Sequence, residues 1–441
     1  MGSKGYRRHA RHVQGMMAEV QEAAPPGGFQ GEALTSLPVH AFDDKPPRAT
    51  LRSRRQRHFR RTFDPRRYRM PTLGLCMIVK NEAHVITRCL DSVRPLVDHV
   101  LIEDTGSTDT TQDIVRAWLG RAGLPGTVIQ EPWRDFAFNR THALARLREH
   151  THIDHALMID ADDRIDIDPE FDVAAFKAGM TADLHDVEIH HGWMRHHRPQ
   201  IFRNRLPFSF RGVLHECVAM PEGPLSRAAV TGFHVTIMGG GARGQEPGKF
   251  QRDAAILERA LETEPDPFLI SRYRFYLANS YRDCGENEKA RLNYLIRADQ
   301  RFWEEEAYVS LCEAARLAAL AGHSAEAVLA TYRRAIAAIP HRAEAFHAAS
   351  LYCRQRGLHE EGYQIAREGL PLTEASLPSG LGIQSWMYAY GLLDEYAVNA
   401  YLAGHPKACL DACLRILSHP ACPEDQRGRF LDNAKAAASH L

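Results

Sequence analysis

The chain of 441 residues has room for two or three domains, and its 44% hydrophobic and 25% charged residues are the proportions of an ordinary globular protein. Collagenous, wholly disordered and membrane-spanning classes are excluded. Apolar runs such as residues 73–79 fall far short of the roughly 20 residues a bilayer span needs, and the opening MGSKGYRRHARH has no apolar stretch to act as a signal peptide. The 55 basic and 55 acidic side chains cancel and the 9 cysteines form no CxxC or zinc-spaced array, so a cytoplasmic protein with reduced thiols is expected.

The cancelled charge is unevenly spread. Residues 1–70 carry 15 Lys and Arg against 6 Asp and Glu, whereas residues 71–441 carry 40 against 49. Positions 48–69 hold 10 arginines with Phe59, Phe63 and Tyr68 between them. This predicts a disordered basic arm over residues 1–70, able to touch a polyanion or an acidic partner. No nucleic-acid fold motif accompanies the charge, so a nucleic-acid partner is not favoured over a solvated leader or one lying on the acidic body.

From residue 71 short apolar runs alternate with helical patterns. LGLCMIV precedes a helix near 82–93, HVLIE a helix near 110–119, TVIQE a helix near 139–149, and HALMID closes the series. Strands alternating with helices of that length predict a doubly wound α/β sheet. After Asp163 the pattern loosens into VEIHHGWM, PQIFRN, HECVAM and GFHVTIM, an antiparallel or mixed extension of the same sheet. His185, His190, His191, His196 and His197 cluster there. Their spacing matches no zinc motif, and His190 and His191 point to opposite faces of a strand.

Beyond residue 249 the strand signals vanish and Ala-, Leu-, Arg- and Glu-rich helices take over. Gly285, Gly322 and Gly357 fall in register at spacings of 37 and 35 residues, with a looser unit around Gly404. Tetratricopeptide repeats have a period near 34 residues. Leu277, Ala278, Tyr281, Ala290 and Tyr294 occupy packing positions of that repeat, and Ala327 repeats the offset of Ala290 from its glycine. Stacked helix pairs would share an elongated core and offer a groove to a partner. The expected domains are therefore a basic arm (1–70), an α/β domain (71–248) and an all-α tetratricopeptide-like solenoid (249–441).

HALMIDADD delivers Asp160, Asp162 and Asp163 at the end of an apolar strand, where ligands of open α/β sheets bind. In an extended strand end, residues i and i+2 point the same way, so Asp160 and Asp162 can share one hard divalent cation that bridges two phosphates. In HVLIEDTGSTDTT a strand ends at Asp104, Gly106 gives a ligand close approach, and Ser107, Thr108 and Asp109 are available to cap a helix. Asp104 can accept a hydrogen bond from the ring N–H of a uracil-like base or simply form the turn. Neither GxxxxGK nor GxGxxG occurs in this loop.

LCMIVKNEAHVITRCLDSV, VLIEDTGSTDTT, DFAFNRTHAL and LMIDADD, in that order, resemble the nucleotide-sugar-binding half of family 2 glycosyltransferases of the GT-A fold. The likeness is to bacterial members with tetratricopeptide repeats behind the transferase domain, and it covers roughly residues 71–260. It implies metal-dependent transfer, with Mn2+ or Mg2+ and with inversion, from a nucleoside diphosphate sugar, a UDP-sugar being favoured. It also implies donor-binding roles for Lys80, Asn81, Glu82, Asp104, Asn139, Arg140 and Asp160. Asp160 and Asp162 fall on the ribose and metal positions of a DXD motif, with His234 completing the metal shell. RNRLPFSFRGVLHECV resembles the acceptor-side turn of this family, which makes Glu216 the candidate base, with His215 orienting or replacing it.

The chain departs from simpler members in lacking QxxRW, which disfavours a processive polysaccharide synthase, and in reading NRTH where many relatives read ARN. A repeat domain that binds extended segments makes a protein or peptide acceptor attractive. The competing readings are a non-catalytic scaffold with a decayed transferase domain, against which the intact Asp104, Asp160 and Asp162 weigh, and a nucleotidyltransferase, against which KNEAHV in place of a Gly-rich basic loop weighs.

Overall fold

Alternation along the first strand sets the sheet between two cores. In the computed structural model, which describes residues 69–441 apart from Trp193, Arg301 and Ser379, β1 (Leu73–Val79) sends Leu73, Leu75, Met77 and Val79 into one core and Cys76 and Ile78 into another. β2 (His99–Asp104) divides Val100 and Ile102 from Leu101 in the same way, and β4 (His155–Met158) divides Leu157 from Ala156 and Met158. A period of two with both faces apolar is what a strand covered on both sides requires. Each fully buried Leu or Val contributes about 1.5–3 kcal/mol. Apart from Arg69 and Met70, the arm expected over residues 1–70 lies outside the described residues.

The first core is closed by α1 (Ile86–Val93), whose Ile86, Cys89, Leu90 and Val93 follow the helical repeat, and by Val115 and Trp118 of α2 (Thr111–Ala122). The second is closed by Ala143, Leu144 and Leu147 of α3 (Phe136–Arg148). α3 starts three residues earlier than the sequence pattern suggests because the Asp135 carboxylate accepts the Phe138 N–H at 2.7 Å and caps it. α1 starts later than expected because residues 82–85 are held in a loop described below.

The eight-stranded sheet runs β3-β2-β1-β4-β7-β6-β10-β5. β3 (Gly126–Gln130), β2, β1 and β4 are parallel; β7 (Met194–Arg203) is antiparallel to β4 and to β6 (Leu184–His191). β10 (Arg227–Thr236) lies parallel to β6 and antiparallel to β5 (Arg164–Ile167), so the extension is mixed. β5, four residues directly after the acidic cluster, is too short to stand out in the sequence. β1 sits between β2, reached first, and β4, reached after β3, so the strand order reverses at the carboxyl ends of β1 and β4. Between β5 and β6 lies α4 (Val173–Gly179), and β8 (Ser209–Arg211) pairs with β9 (Cys217–Ala219) as a separate hairpin. The result is a Rossmann-like mixed sheet followed by an all-α array of helix pairs.

After the short α5 (Ala242–Gln245) and α6 (Lys249–Thr263), helices pair as α7 (Pro267–Asp283) with α8 (Asn287–Ala298) and α9 (Glu304–Leu320) with α10 (Ala325–Ala338). α11 (Ala343–Arg356) pairs with α12 (His359–Gly369), α13 (Leu392–Leu402) with α14 (Pro406–Ser418), and α15 (Arg427–Ala438) ends the array. Gly285, Gly322, Gly357 and Gly404 occupy the turn inside each pair, all with φ between 75° and 86°. That left-handed conformation is nearly free only for glycine, which is why the repeat shows in the sequence as spaced glycines. Ala290 and Tyr294 are fully buried as the repeat register requires, but Ala327 is exposed and Val328 takes its place. The turn before α10 is one residue longer than the turn before α8.

His155 in β4 is fully buried, and burial above all lowers its pKa to about 4, so it folds as a neutral ring whose Nε2–H donates to the Ala182 carbonyl. A depressed histidine pKa contributes stability that is complete above about pH 6.5 and is lost as pH falls toward about 4, because only the unfolded chain takes up the proton over that range. The full term is about 3 kcal/mol. Thermal melts of the full chain should therefore show a fall in Tm between pH 7.5 and pH 5 that is measurably smaller in His155→Asn.

Candidate active site

The exits of β1 and β2 are fastened to each other. The Asn81 N–H donates to Ser107 Oγ at 2.9 Å, the Glu82 N–H to Thr111 Oγ1 at 2.9 Å and the Ala83 N–H to Asp109 Oδ2 at 3.2 Å. In return the Thr108 N–H donates to Asn81 Oδ1 at 2.7 Å. Asn81 adopts a φ of 60°, a conformation its short amide tolerates better than most side chains do. Asn81 is thus engaged in shaping the crevice, while Lys80 beside it is exposed. Asp109 binds Thr111 and the neighbouring strand exit, and the N-cap residue of α2 is Thr110, without a side-chain cap.

Asp104 ends β2 in the floor of this crevice, 1% exposed. Its Oδ1 accepts the N–H groups of Gly106 and Ser107 at 3.0 and 2.9 Å, which is the turn-forming role. Its Oδ2 is buried and has no hydrogen-bond partner among the described residues. A buried carboxylate oxygen left without a donor is costly, so this one is poised for a donor that a ligand brings.

The acidic cluster is a turn and not the extended strand end that the sequence suggests. β4 stops at Met158, the Asp163 N–H donates to the Asp160 carbonyl at 3.2 Å, and β5 begins at Arg164. α1 holds this turn: an Arg88 Nη2–H and the Cys89 thiol donate to the carbonyls of Asp162 and Asp160. A strap behind β10 closes on it from the other side. The Gly241 N–H donates to Asp162 Oδ2 at 3.1 Å and the Ala242 N–H to Glu82 Oε1 at 3.3 Å. A Cβ at Gly241 would lie 2.7 Å from Asp162 Oδ2, so only glycine allows this approach. Burial first and Asp162 second raise the Glu82 pKa to about 7, and burial and Asp160 raise that of Asp162. Burial would raise Asp160 too, but Arg140 and Arg198 hold its pKa below the usual carboxylate value.

Arg140 of α3 links this turn to the turn between β8 and β9. Its guanidinium is 2.5 Å from Asp160 Oδ1 and 2.6 Å from Glu216 Oε1, with Arg140 and Glu216 largely shielded from solvent. Glu216 is ion-paired through this arginine. His215, next to it, has a φ of 52° and turns its ring away to stack on Tyr276 of α7, with ring centroids 3.8 Å apart and planes 9° apart. Arg272 Nε–H donates to the His215 carbonyl at 2.7 Å, and the Val213 N–H donates to the Tyr273 hydroxyl at 3.1 Å. Burial and the cations Arg272, Lys249 and Arg243 push the His215 pKa well below its ordinary value, so the ring is neutral. The first helix pair of the solenoid thereby shapes the turn that carries Glu216.

Two expected residues are placed elsewhere. His234 of β10 pairs with Asp166 across the strands, stacks on His190 with centroids 3.6 Å apart, and lies 3.7 Å from Asp166 Oδ2; the strand runs on to Thr236 before the strap reaches Asp162. Asn139 is fully buried, donating to Glu103 Oε1 at 2.9 Å and accepting the Arg134 N–H at 3.0 Å, so its amide secures α3 to β2. The sequence reading missed Arg88, Gly241, Arg272 and Tyr276. The last two lie in a repeat helix, where nothing in the sequence marks them as part of a site in another domain.

Residues 75–174 match the family model for glycosyl transferase family 2. The matched stretch runs from β1 into α4, and the tetratricopeptide-like helix pairs follow it. A TPR repeat-containing protein of Synechococcus elongatus is 31% identical over 154 residues, 34% of this chain and 36% of that protein, so the match spans about a third of the relative's length. Among solved structures, S. aureus TarS residues 1–349 in complex with UDP-GlcNAc align at 16% identity over 64% of this chain and 91% of that one, with a TM-score of 0.29. BtubC from P. vanneervenii aligns at 17% identity over 43% and 84%, with a TM-score of 0.32. Likenesses this loose assign nothing to this chain.

Tyr276 supports the Glu216 turn from the solenoid side. Tyr276→Ala should destabilise the chain by about 3–5 kcal/mol, as loss of a buried aromatic does. Melting curves of the variant and the wild type check the loss.

Proposed function

We propose that the chain is a glycosyltransferase that moves a sugar from a nucleoside diphosphate donor, with a UDP-sugar favoured, to an acceptor held on the Glu216 side. The observation that carries this reading is the acidic turn 160–163 at the point where the strand order reverses, one guanidinium away from Glu216. The family 2 domain over residues 75–174 supports the same class of reaction. Asp104 Oδ2 would accept the ring N–H of the base, with Gly106 leaving room beside it.

Asp160 and Asp162 are the residues that would hold a divalent cation, Mn2+ or Mg2+. They fit one: Asp160 crowds Asp162, and Asp162 crowds Glu82, closely enough to add to the effect of burial in raising their pKa values, and an oxygen donor set suits a hard cation. When bound, such an ion supplies neutralisation of the departing diphosphate. The protein's own groups do the rest. The Gly241 and Ala242 N–H groups orient the carboxylates of Asp162 and Glu82, and Arg140 fixes Asp160. Glu216, held in place by its ion pair with Arg140, takes the proton of the acceptor nucleophile as that atom bonds to the anomeric carbon and the bond to the diphosphate breaks on the opposite face, with inversion. His215 anchors the turn through Tyr276 and leaves the proton transfer to Glu216.

A protein or peptide acceptor fits a transferase whose acceptor-side turn rests on the first helix pair of a repeat array. No helix among the described residues is long and apolar enough to cross a membrane.

Asp162→Ala should abolish donor turnover and its stimulation by Mn2+ or Mg2+ while the melting curve stays cooperative. Undiminished turnover of that variant in EDTA would refute metal-dependent transfer. Asp104→Ala should weaken UDP binding by calorimetry, by about 1.5–3 kcal/mol for a buried hydrogen bond to a charged group. Equal UDP affinity in variant and wild type would leave Asp104 only its turn.

A further inference from the structure

A second cluster of ligating side chains lies at the opposite edge of the sheet, where the parallel strands begin. β2 opens at His99, and the turn joining α3 to β4 carries His150 and His152. In the sheet Gly74 of β1 is the partner of His99, and a Cβ at Gly74 would lie 2.9 Å from Ile153 and 3.2 Å from Leu147. The bare glycine lets residues 147–153 close down across the start of β1. The His150 N–H donates to the Leu147 carbonyl and the Ile153 N–H to the His150 carbonyl, folding a turn that brings residues 150 and 152 to His99.

Ring centroids of His99 are 4.4 Å from His150 and 5.7 Å from His152, and one ring nitrogen from each of the three histidines lies within 4.8 Å of the others. His99 is 4% exposed, and neither of its ring nitrogens has a hydrogen-bond partner among the described residues. A buried imidazole without a partner on either nitrogen carries a desolvation cost that nothing else in the fold offsets. Burial, then His150 and His152, lower the His99 pKa to about 4, so the ring is neutral at pH 7 and keeps a lone pair. His150 is half-buried and His152 exposed, which leaves one side of the cluster open to water.

We infer that His99, His150 and His152 form a binding site for one zinc-class transition-metal ion, separate from the carboxylate turn 160–163. Three imidazoles select a borderline ion such as Zn2+, whereas the carboxylates at the other edge suit Mg2+ or Mn2+. Zinc–nitrogen bonds of about 2.0–2.1 Å in a tetrahedron place ligand nitrogens about 3.4 Å apart, so the rings need to close by roughly an ångström. Water on the His152 side would take the fourth position. The ion would tie the turn between α3 and β4 to the start of β2.

The test is a zinc titration of the chelator-stripped full chain, followed by calorimetry and by metal analysis after gel filtration, with wild type, Asp162→Ala and the double variant His150→Gln/His152→Gln compared. The double variant alters only half-buried and exposed rings, and its melting curve in chelator should match that of the wild type. The expected result is one Zn2+ per chain in wild type and in Asp162→Ala, with affinity at least about 100-fold weaker in the double variant. Zinc should raise the Tm of the wild type and leave that of the double variant unchanged. Zinc uptake by the double variant equal to that of the wild type, or no uptake by the wild type, would overturn the site.

Discussion

The Arg140 guanidinium, held between Asp160 and Glu216, is the contact on which the rest of the candidate site depends. It joins the acidic turn behind β4 to the hairpin turn behind β8, two segments 56 residues apart, through a cation on α3. A shielded cation with two carboxylates in contact is well compensated, whereas removing one member of such a set typically costs about 3–5 kcal/mol. The pairing also sorts the acids by chemistry. Asp160 stays below the usual carboxylate range because Arg140 and Arg198 outweigh its burial, while burial and the neighbouring Asp160 raise Asp162 despite Arg88.

The acidic turn is built from both sides, with Arg88 bonded to the backbone carbonyl of Asp162. α1 bonds to the carbonyls of Asp160 and Asp162, which leaves the carboxylates free to face the crevice, and the strap at Gly241 and Ala242 supplies only backbone N–H groups. Backbone donors orient a carboxylate without neutralising it.

The solenoid braces the turn that carries Glu216 and does more than hang behind the sheet. Tyr273, Arg272 and Tyr276 occupy one helix and fix three consecutive features of the turn: the Val213 N–H, the His215 carbonyl and the His215 ring. A chain cut near residue 262 loses all three, so the α/β domain alone does not contain everything that shapes the Glu216 turn. Arg272 is itself fully buried and lies 3.5 Å from Glu306 of α9, which passes the constraint on to the next helix pair.

Local pattern settled a great deal in this protein. The period-two alternation of LGLCMIV, the acidic run after HALM and the glycines at 285, 322, 357 and 404 each report a requirement satisfied within a few residues, whether a two-sided strand, a strand-end turn or a left-handed helix stop. The positions of Asp104, Asp160 and Asp162 were legible for the same reason, because each stands at or just after the end of a strand. Partnerships between distant segments were decided by the tertiary structure. His234 fits a metal position by its strand and motif, yet the register of β10 sets it beside Asp166 and His190. Asn139 reads as a donor contact, yet its buried amide answers Glu103. Tyr276 and Arg272 look like ordinary repeat residues until α7 meets the hairpin turn, and His99, His150 and His152 are scattered until Gly74 lets a turn close over β1. Sequence spacing encodes periodicity and chain direction, but the pairing of charges and rings across a core depends on sheet register and on which helix packs where, and no local pattern carries that information.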